Sequence, residues 1–142
     1  MILLDTNIAS VLMIDDHPDL PVISAWRDAS PDQDIRVCSV TLAEIAYGIA
    51  ILPDGAKKTR LRAAADRLFA ATAAITLPFG NPEALAYGTI LAARRAAGRP
   101  MSPFDAQIAA TARVAGAAVA TRNTADFEGT GVRLTNPYTH RG

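Results

Sequence analysis

The chain has 142 residues, half of them hydrophobic and a fifth charged, the balance of one globular domain with a proper core and no disordered tail. Lys and Arg total 14, as do Asp and Glu, so the formal net charge is zero; this counts against a strongly basic nucleic-acid binder and leaves any such binding to local clusters of charge. The single cysteine, Cys38, excludes an internal disulfide and a thiolate metal cage, and it suits a small core residue in a reducing compartment.

Met1 to Leu4 is a short apolar run halted by Asp5-Thr6-Asn7 and reads as a buried strand, with helix following through Met13. This start lacks the positive n-region and long apolar stretch of a signal peptide. No apolar run is long enough to span a membrane, so a soluble, cytoplasmic protein is expected. The polar turn Asp15-Asp16-His17-Pro18 leads to a second helix ending near Ala29; Ser30 to Asp34 is a loop and Ile35 to Cys38 the second strand. Thr41 to Leu52 reads as helix, closed by Pro53-Asp54-Gly55. Lys57 to Thr72 is a longer helix with charges on one side and Leu61, Leu68 and Phe69 on the other. Ile75 to Leu77 is a short strand. Asn81 then opens a helix as its capping residue, with Pro82 at the first helical position, and Gly98 stops it. Ser102-Pro103 repeats that signal for a helix reaching about Ala115, ended by Gly116. The alanine-rich stretches Arg62 to Ala74 and Ala92 to Ala118 favour helix by intrinsic propensity. Val119-Ala120 is a strand, Thr121 to Glu128 a turn with room for one helical turn, and Val132 to Leu134 the last strand.

Strands alternating with helices predict a parallel sheet covered on both faces, in a single domain over 1–142. In such sheets, sites form beyond the carboxyl ends of the strands, where the strand order reverses. Three carboxylates stand at such junctions. Asp5 follows the first strand, while Glu44 and Asp105 lie in the first turns of the helices begun at Thr41 and Ser102. Asn123 and Asp126 follow the strand ending near Ala120. A hard cation such as Mg²⁺ prefers oxygen ligands and keeps several waters, so two or three converged carboxylates and a substrate phosphate suffice to hold it.

Each acid also has a plain structural role open to it. Glu44 and Asp105 sit three residues after Thr41 and Ser102, the spacing of a capping box, and acids in a first turn suit the helix dipole. Asp5 could cap the helix after it, although Thr6 or Asn7 could do so without placing a charge beside a buried strand. Asp126, near Glu128, fits a solvated turn. The conjunction, rather than any single residue, points to a site.

That conjunction resembles the VapC- and FitB-type PIN-domain toxins. The likeness is carried by LLDTN at Leu3 to Asn7, SVTLAEIAYGIAIL at Ser39 to Leu52, PFDAQIAATA at Pro103 to Ala112, VATRNTADFEG at Val119 to Gly129 and NPY at Asn136 to Tyr138. The resemblance implies a three-layer α/β/α sandwich with a central, mostly parallel sheet. It further implies a metal-dependent endoribonuclease acting as the toxin of a type II toxin–antitoxin pair, with Mg²⁺ or Mn²⁺ as cofactor. Asp5, Glu44 and Asp105 would be the catalytic, metal-holding acids, expected to converge within reach of one cation. Thr6 would orient Asp5 and Thr121 would help line the site. The fourth position departs from FitB-like relatives, which often carry aspartate after Thr-Arg; here it is Asn123, and either its amide oxygen, facing the pocket, or Asp126 could serve. The implied partners are RNA, a cognate antitoxin whose C-terminal segment covers the acids, and a second copy in a homodimer, with DNA reached only through the antitoxin.

RNA would be held by Lys57, Lys58, Arg60 and Arg62 on one helix, by Arg94, Arg95 and Arg99 at the end of another, and by Arg122 beside the acids as a phosphate contact. His17 and His140 lie in a polar turn and the C-terminal tail, which disfavours a histidine-pair ribonuclease. A haloacid-dehalogenase-type phosphatase needs a second aspartate two residues after the first, where this chain has Asn7. The remaining alternative is a catalytically weak or inactive PIN-fold binding module acting through a protein partner, which metal-dependent RNA turnover distinguishes.

Overall fold

The computed structural model describes residues 1–140. Its five short strands are β1 (Ile2–Leu4), β2 (Ile35–Cys38), β3 (Thr76–Leu77), β4 (Ala118–Ala120) and β5 (Leu134–Thr135). They form one sheet in the order β3-β2-β1-β4-β5, every neighbouring pair parallel. Parallel neighbours require long crossovers; α1 (Thr6–Met13), α2 (Leu20–Asp28), α3 (Ser39–Ala50), α4 (Ala56–Thr72), α5 (Asn81–Ala96) and α6 (Pro103–Ala115) supply those as far as β4, and residues 121–133, with one 3₁₀ turn, lead from β4 to β5.

Successive strand residues face opposite sides, and this alternation divides the core in two. Leu4, Val37 and Ala120 meet Ile8, Ile23, Trp26, Ile45, Ile49 and Ala65 of α1 to α4 on one face. Leu3, Cys38 and Val119 meet Ile90, Ile108 and Ala109 of α5 and α6 on the other. The expected three layers are therefore present. Each fully buried aliphatic side chain such as Leu3 contributes roughly 1.5–3 kcal/mol, so the two clusters fix the register of all three central strands.

Several boundaries differ from expectation; Ile75, for one, closes a 3₁₀ turn over Ala73–Ile75 instead of opening β3. Helix α3 begins at Ser39, directly after Cys38 ends β2 in extended geometry. Thr41 cannot cap it, because its hydroxyl is fully buried against the Cys38 sulfur at 3.7 Å and the Thr6 hydroxyl at 3.3 Å. The cap of α5 is Gly80 rather than Asn81, and the Glu83 carboxylate accepts from the Gly80 N–H at 3.0 Å. The last strand is displaced to Leu134–Thr135, Val132 packing instead against the second core cluster. At the end of α6, Gly116 adopts the left-handed conformation with φ 67°, which lets the chain turn back at once into β4.

The chain leaves β1 towards β2 and β3, then returns to lay β4 and β5 on its other side. The strand order thus reverses at β1, and the crevice beyond the carboxyl ends of β1 and β4 is where chemistry is expected. Because α6 feeds the start of β4, its own N-terminus reaches back to that crevice. Among the described residues, no helix is long and apolar enough to cross a membrane.

Candidate active site

Asp5 closes β1 and is the N-cap of α1, a position left open between it, Thr6 and Asn7 by the sequence. Its backbone is tied to β4 by Asp5 N–H to the Ala120 carbonyl at 2.9 Å. The side chain is 4% exposed, too deep for an ordinary cap. One carboxylate oxygen accepts from the Thr6 N–H at 2.8 Å and the other from the Thr121 hydroxyl at 2.8 Å. An N-cap usually accepts from the second or third helical N–H; here only the first is taken, and the second oxygen is committed to a residue across the sheet.

Glu44 lies more than a turn inside α3, so its first-turn, capping-box role falls with the shifted helix start. It points instead across to α1, where Thr6 Oγ1 donates to Glu44 Oε1 at 2.7 Å. Thr6 therefore joins two of the three acids, its N–H on Asp5 and its hydroxyl on Glu44. Asp105 keeps half of its expected box: Ser102 Oγ accepts from the Asp105 N–H at 3.1 Å. The carboxylate makes no return bond to the Ser102 N–H among the described residues and is left half-buried at the crevice.

The carboxyls of Asp5, Glu44 and Asp105 are all pushed above their ordinary range, burial being the largest cause in each. Hydrogen bonds from Thr121 and Thr6 oppose the rise at Asp5, as Thr6 does at Glu44 and Ser102 at Asp105. Mutual repulsion adds to it: Asp105 raises both Asp5 and Glu44, Asp5 raises Glu44, and Asp126 raises Asp5 and Asp105. Four acids thus share one field of negative charge, partly offset at Asp105 by Arg94.

The acids do not enclose an ion unaided. Among the described residues, no three acidic, histidine or cysteine side chains are spaced to hold a metal. Asp5, Glu44 and Asp105, expected to converge on one cation, lie close enough for Asp105 to act on the charge of both the others, and Thr6 bonds Glu44. The donor set still fits a hard divalent ion. All four groups are carboxylates, and Mg²⁺ typically takes one or two of these, keeping waters and substrate phosphate for the rest.

Two further expectations change. Asn123 is exposed and is engaged through its backbone, its N–H donating to Thr121 Oγ1 at 3.0 Å; among the described residues its side-chain amide has no hydrogen bond. The negative charge beside Asp5 and Asp105 comes instead from Asp126, on a short 3₁₀ turn, Thr124–Phe127. Arg122 stands over the Tyr138 ring, 4.5 Å from its centroid, with Asp19 at 3.8 Å. It pairs with none of the site acids among the described residues. Tyr138 completes that group by donating its hydroxyl to Asp19 at 2.9 Å. Of the basic residues expected to hold RNA, Lys58 is paired with Asp54 at 3.3 Å, Arg99 with Glu128 at 3.1 Å, and Arg94 is buried. The sequence alone reads Thr41 as a helix start and Arg94 as an RNA contact, not as supports of the acids. For Arg94 a signal existed, since it stands one helical turn after Ile90 on the face that α5 buries.

A largely apolar groove of about 320 Å³ runs from Thr6 and Glu44 along α1, α3 and α4, past Ile49 and Leu61, with Lys57 on its wall.

The family model described as PIN domain matches residues 2–131. The chain is 34% identical over 139 residues to VapC ribonuclease Y4jK of Sinorhizobium fredii, covering 97% of this chain and 98% of that one. It is 36% identical over 142 residues to toxin FitB of Neisseria gonorrhoeae, covering 97% and 99%. Among solved structures it is similar to FitAB bound to an IR36 DNA fragment, with a TM-score of 0.86 and 32% identity over 100% of this chain and 99% of that one.

Proposed function

The chain belongs to the PIN-domain family, and on that premise we propose that it is a metal-dependent endoribonuclease, the cytoplasmic toxin of a type II toxin–antitoxin pair. One observation carries the reading: Asp5, Glu44, Asp105 and Asp126 share a single field at the carboxyl edge of β1 and β4, with hydroxyls of Thr6 and Thr121 aimed at two of them. Desolvated, mutually repelling carboxylates are costly to a fold, and a divalent cation turns that cost into binding energy. The similarity to a VapC ribonuclease and to toxin FitB supports the same chemistry.

Asp5, Glu44, Asp105 and Asp126 would hold Mg²⁺ or Mn²⁺, ions suited to carboxylate and water ligands. When bound, such an ion supplies a water able to attack near neutral pH and positive charge against the oxyanion developing on phosphate. The protein's part is to prepare the ligands. Thr121 and the Thr6 N–H fix both oxygens of Asp5, and the Thr6 hydroxyl takes Glu44 Oε1, leaving Oε2 without a partner among the described residues. Burial of Asp5 excludes bulk water from one side of the site.

The groove beginning at Glu44 suits an antitoxin segment with apolar side chains, whose basic residue would meet the acids. Contact with DNA would then be the antitoxin's, in keeping with the similarity to FitAB bound to DNA. A homodimer is expected in solution. The Asp126 charge weighs against a non-catalytic module, because it replaces what Asn123 lacks. The test is incubation of the purified chain with a panel of cellular RNAs in Mg²⁺, Mn²⁺ or EDTA. Cleavage in either metal that EDTA stops supports the reading; RNA left intact in both metals contradicts it.

A further inference from the structure

Arg94, on α5, is only 5% exposed. Arginine is rarely buried unless paired, yet among the described residues Arg94 has no carboxylate within ion-pair distance. Its Nη1 donates to the main-chain carbonyls of Glu128 and, at 3.5 Å, Ala125, while among the described residues its Nε has no partner. These two carbonyls bracket Asp126. Arg99, just beyond α5, donates to the same Ala125 carbonyl at 3.2 Å and to the Glu128 carboxylate at 3.1 Å.

From the other side, Phe127 is 1% exposed and its carbonyl accepts from the Thr130 hydroxyl at 2.7 Å. The 3₁₀ turn is thus gripped at Ala125, Phe127 and Glu128; between them Asp126 donates its N–H to the Asn123 carbonyl at 3.0 Å, and its exposed side chain has no hydrogen bond among the described residues. Holding two carbonyls needs only neutral donors. A buried guanidinium is an expensive way to supply them, and the extra charge lies where it is felt by Asp105.

We propose that Arg94 is a positioning residue of the acidic site, clamping the turn through the carbonyls of Ala125 and Glu128 so that Asp126 is held as its fourth carboxylate. This rests on the metal-dependent reading above. It assigns a role to a buried basic residue, and it explains how an asparagine at position 123 is tolerated.

The test is Mn²⁺ binding by the full chain, followed by the electron paramagnetic resonance signal of free Mn²⁺, with amide hydrogen exchange of the metal-free protein. The variants are Arg94→Met, Arg94→Lys, Asp126→Asn and the double variant Arg94→Met with Asp126→Asn. Loss of a residue that orients a ligand typically weakens metal binding about 10- to 100-fold. Arg94→Met should fall in that range, match Asp126→Asn, and add nothing to it in the double variant, since both remove one interaction. Exchange should quicken at Asp126 and Phe127 while the amides of β1 and β4 stay protected. Arg94→Lys keeps the buried charge but its shorter side chain ends short of Nη1, the one nitrogen that bonds both carbonyls, so it should show the same effects more weakly, and it decides the matter should the methionine variant not fold. Wild-type Mn²⁺ affinity in folded Arg94 variants, or losses that multiply in the double variant, would overturn the proposal alone. A wild-type chain that binds no Mn²⁺ would overturn the metal-dependent reading and this proposal with it.

Discussion

The Thr121 hydroxyl donates to Asp5 Oδ2 at 2.8 Å across a separation of 116 residues. This bond ties the end of β4 to the end of β1 at the point where the strand order reverses, and it holds the deepest acid of the site in one orientation. Thr121→Val keeps the shape and removes the donor. A buried hydrogen bond to a charged group is worth about 1.5–3 kcal/mol, so urea unfolding of the metal-free protein should show a loss in that range. Thr121→Ser should recover most of it, and unchanged stability in Thr121→Val would mean that the bond is not made in solution.

Asp5→Asn is expected to do the reverse. The carboxyls of Asp5, Glu44 and Asp105 are raised by burial first and then by neighbouring acids, Asp105 and Asp126 at Asp5, Asp5 and Asp105 at Glu44, and Asp126 at Asp105, so the folded state holds their protons more tightly than the unfolded chain. Such groups favour folding most below their ordinary values, and that favour is lost as pH rises through the raised ones. At neutral pH, without metal, Asp5→Asn should therefore melt higher than wild type, its amide oxygen still able to accept from the Thr6 N–H. The advantage should vanish as pH falls below Asp5's ordinary value of 3.8. A gap that persists there would assign it to packing rather than to charge.

Asn123 and Asp126 are alternatives for the fourth position, and the cleavage activity of their variants separates them. Asn123→Ala should leave the Mg²⁺ dependence of cleavage near wild type, since the residue's backbone N–H, not its amide, makes the contact with Thr121. Asp126→Ala should shift half-maximal activity to about 10- to 100-fold higher Mg²⁺, the usual scale for groups that support a metal site. The opposite ranking would return Asn123 to the fourth position.

Much of this was legible in the chain because local chemistry and fold agree. The run from Ile2 to Asp5 announces a buried strand ending in an acid, and Ser102-Pro103 announces the start of α6. Glu44 was obscured by an accident of spacing. Thr41, three residues before it, mimics a cap, whereas Cys38 turns directly into helix and Thr41 faces inward. No local rule shows that; it depends on Thr6 arriving from α1. Asp126 was hard to rank for a similar reason. Its orientation depends on Arg94 and Arg99, about 30 residues earlier, gripping the backbone around it.

Arg122 was expected to contact phosphate and is found over Tyr138, beside Asp19. An exposed cation–π contact and a surface ion pair are each worth about 0.5–1 kcal/mol at most. Arg122→Ala should thus lower stability only slightly in a chemical melt. If the residue also binds RNA, KM should rise and its salt dependence weaken with kcat unchanged; an unaltered KM would leave Arg122 as a staple between the NPY segment and the turn before α2.

The central claim is that these acids form one metal-dependent nuclease site, and it is tested most directly by cleavage of a labelled RNA against Mg²⁺ concentration for wild type and Asp5→Asn. Both proteins must first be shown to be folded by circular dichroism. The account predicts saturable cleavage by wild type that EDTA abolishes and added Mg²⁺ restores, with no cleavage by Asp5→Asn at any concentration. Cleavage by Asp5→Asn at the wild-type rate, or wild-type cleavage indifferent to EDTA, would contradict it.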